Sequence, residues 1–395
     1  MLPALPQSNT SPPALDRPSV ASLSGLRVLH VGKFYPPHRG GMESHLQALC
    51  HELKGRIKVE VVVSNEGRHT SEEFVDGIKM TRVGTLFDLA AAPVCPQTVR
   101  VIRDSKADLV HIHLPHPTAI LAYLASGHRG RLIFTYHSDI VRQRVLSKLF
   151  CPILNYALRR ADAIIVASPN YLESSHVLRK FKSRCQVIPF GIQLGDFDRV
   201  NPAEVEQIRN TFGPRIVLGV GRLIYYKGFE YLIRAMKDVE GHLLLLGTGP
   251  LHDDLRLEAE RCGVSSRVSF LSNVSDVIPY YHAADAFALP SIARSEAFGI
   301  VQLEAMACRT PVVNTRLDTG VTYVSVDGVT GLTVPPKNSD ALAEALNTLL
   351  NNPDIGASYG DAGRKRVEAE FSLDVMTERT LLLYQEVMNS GKYAR

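Results

Sequence analysis

Short apolar runs rich in Val, Ile and Leu alternate along this chain with longer stretches whose apolar positions recur every three or four residues. The short runs predict strands at 26–31 (LRVLHV), 58–63 (KVEVVV), 108–113 (DLVHIH), 131–136 (RLIFTY), 162–167 (DAIIVA) and 185–190 (CQVIPF). Between most of them lie helical patterns such as GMESHLQALCHELK (41–54) and LFCPILNYALRRA (149–161). Strands this apolar on both faces belong to a parallel sheet covered by helices on both sides, the doubly wound α/β pattern.

The rhythm restarts near residue 202, where NPAEVEQIRNTFG reads as a capped helix, followed by strands at 215–220, 242–247, 268–271 and 286–290. A second sheet therefore follows the first, with the boundary in the turn-rich GIQLGDFDRVNP (191–202), and beyond Ser339 the chain reads as helical to its end. The expected division is a loose tail over 1–24, a Rossmann-like domain over 25–195, a second over 196–371, and a terminal helix over 372–395 packing back toward the first domain. Ligands of open α/β sheets bind outside the carboxyl ends of the strands, so the crevice between the domains is the expected site.

Composition agrees: 395 residues, 45% hydrophobic and 21% charged, suit two globular domains. The first 23 residues are rich in Pro and Ser, lack a basic start and hold no apolar core, which argues against a signal peptide. No apolar run approaches the roughly 18 residues that span a bilayer. Cys50, Cys95, Cys151, Cys185, Cys262 and Cys308 stand singly, without CxxC or metal-type spacing, as reduced thiols of a cytoplasmic protein would. The net charge of +4 hides an asymmetry: residues 1–195 carry 24 Lys and Arg against 14 Asp and Glu, residues 196–395 carry 20 against 26. Either surface charge is scattered unevenly, or the first half meets an anionic partner such as a phospholipid surface or a diphosphate-bearing substrate.

Candidate chemistry centres on SEAFGIVQLEA (295–305), which sets Glu296 and Glu304 eight residues apart. In a continuous helix their backbones would lie roughly 12 Å apart with side chains about 80° apart, no acid/base pair. Gly299 instead predicts a loop carrying Glu296 and a helix carrying Glu304 on its second turn, so that both face one ligand from different directions. GVGRLIYYKGFEYL (219–232) joins a strand to a helix through Gly221, with Arg222 and Lys227 as nearby cations; it suits a bound phosphate, and equally a plain glycine turn. FYPPHRGGMESHL (34–46) does the same around Gly40 and Gly41. Neither GVGRLI nor GTGPLH completes a dinucleotide fingerprint. His137 stands at a strand's carboxyl end in FTYHSDI, where a cleft residue or a structural histidine would be found. His111, His113 and His116 have no third ligand spaced to complete a metal site and read as structural. Ser138 and His137 lack a placed acidic partner, so a hydrolase triad is not supported.

In order along the chain, RGGMESH, YHSD, VIPFGI, VGRLIYYKGFEYLIRA, LLGTGP and above all SEAFGIVQLEAMACRTPVV resemble the retaining, nucleotide-sugar-dependent glycosyltransferases of family 4, from about Leu26 to Phe371. The resemblance implies the GT-B fold, two Rossmann-like domains facing a central cleft, and no required metal or cofactor beyond the donor. It implies that Glu304 accepts from the donor's ribose hydroxyls and that Glu296 contacts the transferred sugar. Backbone N–H groups of Phe298 and Gly299 would reach that sugar or its phosphate. Arg222 and Lys227 would neutralise the departing nucleoside diphosphate, Gly40, Gly41 and Gly221 would form the glycine turns, and His137 would stand near the donor sugar. Where many relatives continue after TPVV with a Gly-Gly and Pro-Glu turn, this chain has NTRLDTGVTYVSVDGVTGL (314–332).

The donor expected first is GDP-mannose, with UDP-sugars next. The segment 141–160 combines Arg142, Arg144, Lys148, Arg159 and Arg160 with Leu146, Leu149, Phe150, Ile153 and Leu154. It suits a helix packed on the sheet, or an edge resting on anionic lipid at the inner face of the cytoplasmic membrane, assisted by LRKFKSR (178–184). A glycan or polyprenyl-diphosphate-linked acceptor in cell-envelope or exopolysaccharide synthesis follows, and no nucleic acid. The rivals are an epimerase or phosphorylase on the same fold, and a nucleotide-sugar-binding protein without turnover.

Overall fold

The computed structural model describes residues 23–38, 40–89, 92–139 and 144–390, without the side chains of 144–148. The tail expected over 1–24 thus lies largely outside the described residues, as do Arg142 and the side chains of Arg144, Leu146 and Lys148.

The first half contributes strands β1 (Arg27–Val31), β2 (Lys58–Ser64), β3 (Ser71–Val75), β4 (Ile78–Val83), β5 (Phe87–Leu89), β6 (Ala92–Val94), β7 (Leu109–Leu114), β8 (Arg131–Tyr136), β9 (Ala163–Val166) and β10 (Cys185–Val187). The second contributes β11 (Ile216–Val220), β12 (His242–Leu246), β13 (Val268–Leu271), β14 (Ala286–Leu289), β15 (Val312–Thr315) and β16 (Gly331–Val334). Among the described residues they form one sheet in the order β10-β9-β8-β7-β1-β2-β4-β3 and another in the order β13-β12-β11-β14-β15-β16, with β5 and β6 as a separate hairpin. All pairings in the two sheets are parallel except β3 with β4.

Each of the ten runs read as strands holds a strand. The hydrophobic pattern did not predict β3, β4, β5, β6, β15 or β16. β3 is mostly solvent-facing, and β15 and β16 are four residues each, too short to show a period. β7 is buried along its whole length and β14 likewise, as the central position of each in its sheet requires.

In the second sheet the strand order reverses between β11 and β14, and in the first between β1 and β7. Such switch points open a crevice at the carboxyl ends of the strands. Asn201 caps the helix Pro202–Phe212 by accepting from Ala203 N at 3.1 Å. The helix Leu373–Asn389 returns to the first half: Leu373, Met376, Leu381 and Tyr384 share one apolar cluster with Val28, Leu49, Leu109 and Ile133. Side chains of this size contribute about 1.5–3 kcal/mol each when fully buried. A two-way backbone exchange anchors the crossing, Ile192 N to Phe371 O at 3.0 Å and Leu373 N to Ile192 O at 2.9 Å.

Candidate active site

The two switch points place the sequence-predicted residues. β11 ends at Val220, and Gly221 follows with φ 145°, a conformation that favours glycine. A Cβ there would stand 3.1 Å from Lys227 Cε and 3.2 Å from its Nζ, so the bare glycine lets the lysine fold back over the strand end. Lys227 lies in a single 3-10 turn, Tyr225–Lys227, and Gly228 (φ 65°) then turns the chain into the helix Phe229–Ala235. Lys227 is buried, and its Nζ lies 2.7 Å from Glu296 Oε2, which also accepts from Ser291 Oγ at 2.9 Å. Arg222 is exposed on the same loop, close enough to Tyr226 to act on its phenol.

Glu296 sits in the loop after β14, and the helix Ile300–Ala307 begins behind Gly299 at φ 78°. Glu304 is on its second turn, half-buried, and accepts from Tyr281 OH at 2.7 Å. Burial raises the Glu304 carboxyl above its ordinary range, opposed by the Tyr281 hydrogen bond and by the charge of Lys227. Lys227 is thus bonded to one carboxylate and its charge is felt by the other. The backbone N–H groups of Phe298 and Gly299 find no acceptor among the described residues, while the Phe298 ring is buried against Phe190. Two such donors leading into a helix suit an anion or a sugar hydroxyl.

On the facing domain, Gly41 opens the helix Gly41–Leu53, and a Cβ on it would lie 3.9 Å from Ile300 Cδ1. Two helix N-termini therefore meet across the crevice. Gly40 is extended (φ −179°) and lies under the buried Glu43 carboxylate, which turns back over it. Glu43 was not singled out by sequence, since a glutamate in a first helical turn is commonplace.

His137 follows β8 and is buried, with Nε2 3.2 Å from His113 Nδ1. The chain of hydrogen bonds continues: His113 Nε2 meets His30 Nδ1 at 3.2 Å, Tyr384 OH stands 3.5 Å from His30 Nε2 and 2.7 Å from His111 Nδ1, and His111 Nε2 meets Thr135 Oγ1 at 2.7 Å. Burial keeps all of these imidazoles from protonating, His30 down to about 3 and His111, His113 and His137 well below the usual value. Histidines from three neighbouring strands assemble here, which spacing within VHIHLPH does not reveal.

Arg294 is a further residue missed by sequence. Its Nη1 donates to Asp318 O at 2.9 Å, its guanidinium lies 5.3 Å from the Tyr171 ring centre, and its Nη2 is 3.5 Å from Asp139 Oδ2. The atypical segment 314–332 joins this contact: Gly320 N donates to Ala297 O at 2.7 Å, and Asn170 Nδ2 donates to Thr322 Oγ1 at 3.2 Å. This segment therefore braces the loop that carries Glu296.

The family model described as Glycosyltransferase Family 4 matches residues 39–196, and that described as Glycosyl transferases group 1 matches residues 202–366. The chain is 33% identical over 371 residues to the O-antigen chain mannosyltransferase C of Escherichia coli, covering 92% of this chain and 100% of that one. It is 32% identical over 354 residues to the D-rhamnosyltransferase WbpZ of Pseudomonas aeruginosa, covering 88% and 92%. Among solved structures, sucrose-phosphate synthase from Thermosynechococcus elongatus superposes with a TM-score of 0.77 at 23% identity, over 93% of this chain and 100% of that one. Two parallel sheets with facing switch points, matched in order by the two halves of one family over nearly the whole chain, make this protein a GT-B glycosyltransferase of family 4.

Proposed function

We propose that this protein transfers a hexose, mannose first, from a GDP-sugar to a lipid-linked glycan acceptor in cell-envelope polysaccharide synthesis, with retention at the anomeric carbon. The observation that carries this reading is the ion pair of Lys227 with Glu296 at the β11/β14 switch point, with Glu304 within reach of the same charge. A donor spanning that point has its pentose hydroxyls on Glu304, its diphosphate by Lys227 and Arg222, and its sugar by Glu296, the Phe298 and Gly299 N–H groups, and His137. Gly40 and Gly41 admit the donor from the opposite wall. Leaving-group departure builds charge on the diphosphate, and fixed cations there stabilise the transition state more than the ground state. These cations take the part that a divalent metal plays elsewhere. Relatives named as mannosyltransferases, one of them GDP-mannose-dependent, favour GDP-mannose, and a UDP-sugar is the competing donor.

Partial support for a membrane-side acceptor comes from the helix Arg144–Arg160, which ends in Arg159 and Arg160 and exposes Leu149 and Tyr156. No described helix is long and apolar enough to cross a membrane. A thermal-shift panel of GDP-, UDP- and ADP-sugars tests the donor: the true one, at about 100 times its dissociation constant, adds about 2.7 kcal/mol of stability. Product analysis with that donor separates transfer from isomerisation and from binding alone.

A further inference from the structure

Two groups of three buried histidines bring ring nitrogens within 4.8 Å of one another, His30 with His111 and His113, and His45 with His113 and His137. In the first group the nitrogens are already committed to Tyr384, Thr135 and one another. The second group differs. His45, on the helix Gly41–Leu53, is 8% exposed, and its buried Nδ1 has no hydrogen-bond partner.

The spacing of this second group is within reach of a coordination centre after small ring rotations. His113 Nδ1 and His137 Nε2 are 3.2 Å apart. A tetrahedral ion with nitrogen bonds of about 2.0–2.1 Å holds its nitrogens about 3.3 Å apart. The three ring centroids stand 5.1, 5.5 and 5.8 Å from one another. The His113–His137 centroid distance equals their N–N distance plus two ring radii, so without an ion these nitrogens point at one another, and each ring turns by about 35° to share one ion at a tetrahedral angle. The far nitrogen of His113 is held by His30, the kind of outer partner that orients metal-ligating histidines.

We propose that His45, His113 and His137 bind a divalent transition ion, Zn²⁺ foremost, with a fourth position left open. A set of three imidazoles suits Zn²⁺, Cu²⁺, Ni²⁺ or Co²⁺ and offers nothing to the oxygen-seeking Mg²⁺ or Ca²⁺. Binding exchanges the His113–His137 hydrogen bond for two metal bonds and gives His45 a partner. Each neutral imidazole keeps one N–H on its other nitrogen, so no proton has to leave the protein. Resting on the role proposed for His137, the ion is an inhibitor of transfer: it ties that ring down beside the donor sugar.

The test uses the full chain, freed of metal by a chelator and titrated with Co²⁺ and then Zn²⁺. The expected result is one ion per chain, visible cobalt bands of a tetrahedral nitrogen site without thiolate charge-transfer absorption, and inhibition by Zn²⁺ that excess chelator reverses. His45→Phe keeps a ring against Phe190, now 4.6 Å from the imidazole centroid, and should bind at least about tenfold more weakly. His45→Gln serves as a second variant, with circular dichroism checking the fold of both. Failure of the wild type to retain an ion overturns the proposal. So does thiolate absorption, which would put the ion on the free cysteines, or unchanged affinity in both folded variants. Binding lost in the variants, but without inhibition in the wild type, would uphold the ion site and remove His137 from the proposed reaction.

Discussion

Arg294 Nη2 stands 3.5 Å from Asp139 Oδ2 and so joins two loops from opposite domains, one carrying Glu296 and the other His137. Asp139 is fixed on its own side by Tyr136 OH at 2.8 Å and Ser175 Oγ at 3.0 Å, both donating to its Oδ1. This contact links the two walls of the crevice.

Arg294→Ala should therefore cost more activity than stability. The pair is about one-third exposed on the arginine side, and such pairs contribute no more than about 1 kcal/mol to folding. A fall in kcat of about tenfold, equivalent to about 1.4 kcal/mol, is expected from loss of the closed geometry. Steady-state kinetics beside a melting curve check this; a drop in melting temperature that accounts for the whole activity loss would refute it.

In the proposed reaction Lys227→Ala removes a cation that faces the leaving group, worth about 3–4 kcal/mol of barrier. Because Lys227 and Glu296 are each about nine-tenths buried, it also strands a carboxylate, at a cost of about 3–5 kcal/mol of stability. The single variant should therefore lose both stability and turnover. The double variant Lys227→Met with Glu296→Gln should recover stability but not turnover, which urea unfolding and a transfer assay would separate.

Glu304→Gln tests the pentose anchor. Loss of charge-assisted bonds of about 1.5–3 kcal/mol should weaken donor binding by about 10- to 100-fold. The apo protein should not suffer. A carboxyl whose folded pKa is raised contributes stability only while protonated and loses it as pH rises through that value, so at neutral pH the neutral amide removes a cost. Calorimetry of donor binding and melting at pH 7 would show both effects, and a destabilised apo variant with normal donor affinity would contradict them.

Acid should unfold this protein early. His45 and His116 are held down to about 4 and His30 to about 3, all by burial. The unfolded chain takes up protons below about pH 6.5 while the folded one does not, so stability is full above that value and is lost as pH falls toward the folded values. Each histidine contributes up to about 1.4 kcal/mol per pH unit across its window. Melting temperatures between pH 7 and pH 4.5 should fall steeply, and less steeply in His45→Phe; parallel curves would remove the histidine cluster as the cause.

The alternation of apolar runs and amphipathic stretches sufficed to show two parallel sheets, because strands buried on both faces must be apolar throughout. Gly221 and Gly299 were legible because a turn with positive φ admits little else. The spacing of Glu296 and Glu304 around Gly299 gave their loop and helix positions for the same reason. What only the tertiary structure decided is which side chains meet. The pairing of Lys227 with Glu296 joins residues 69 apart, Arg294 with Asp139 joins 155, and Tyr384 with His111 joins 273. Contacts between elements far apart in the chain leave no periodic trace along it, since they depend on strand order and on how elements pack and domains face, not on local backbone preference.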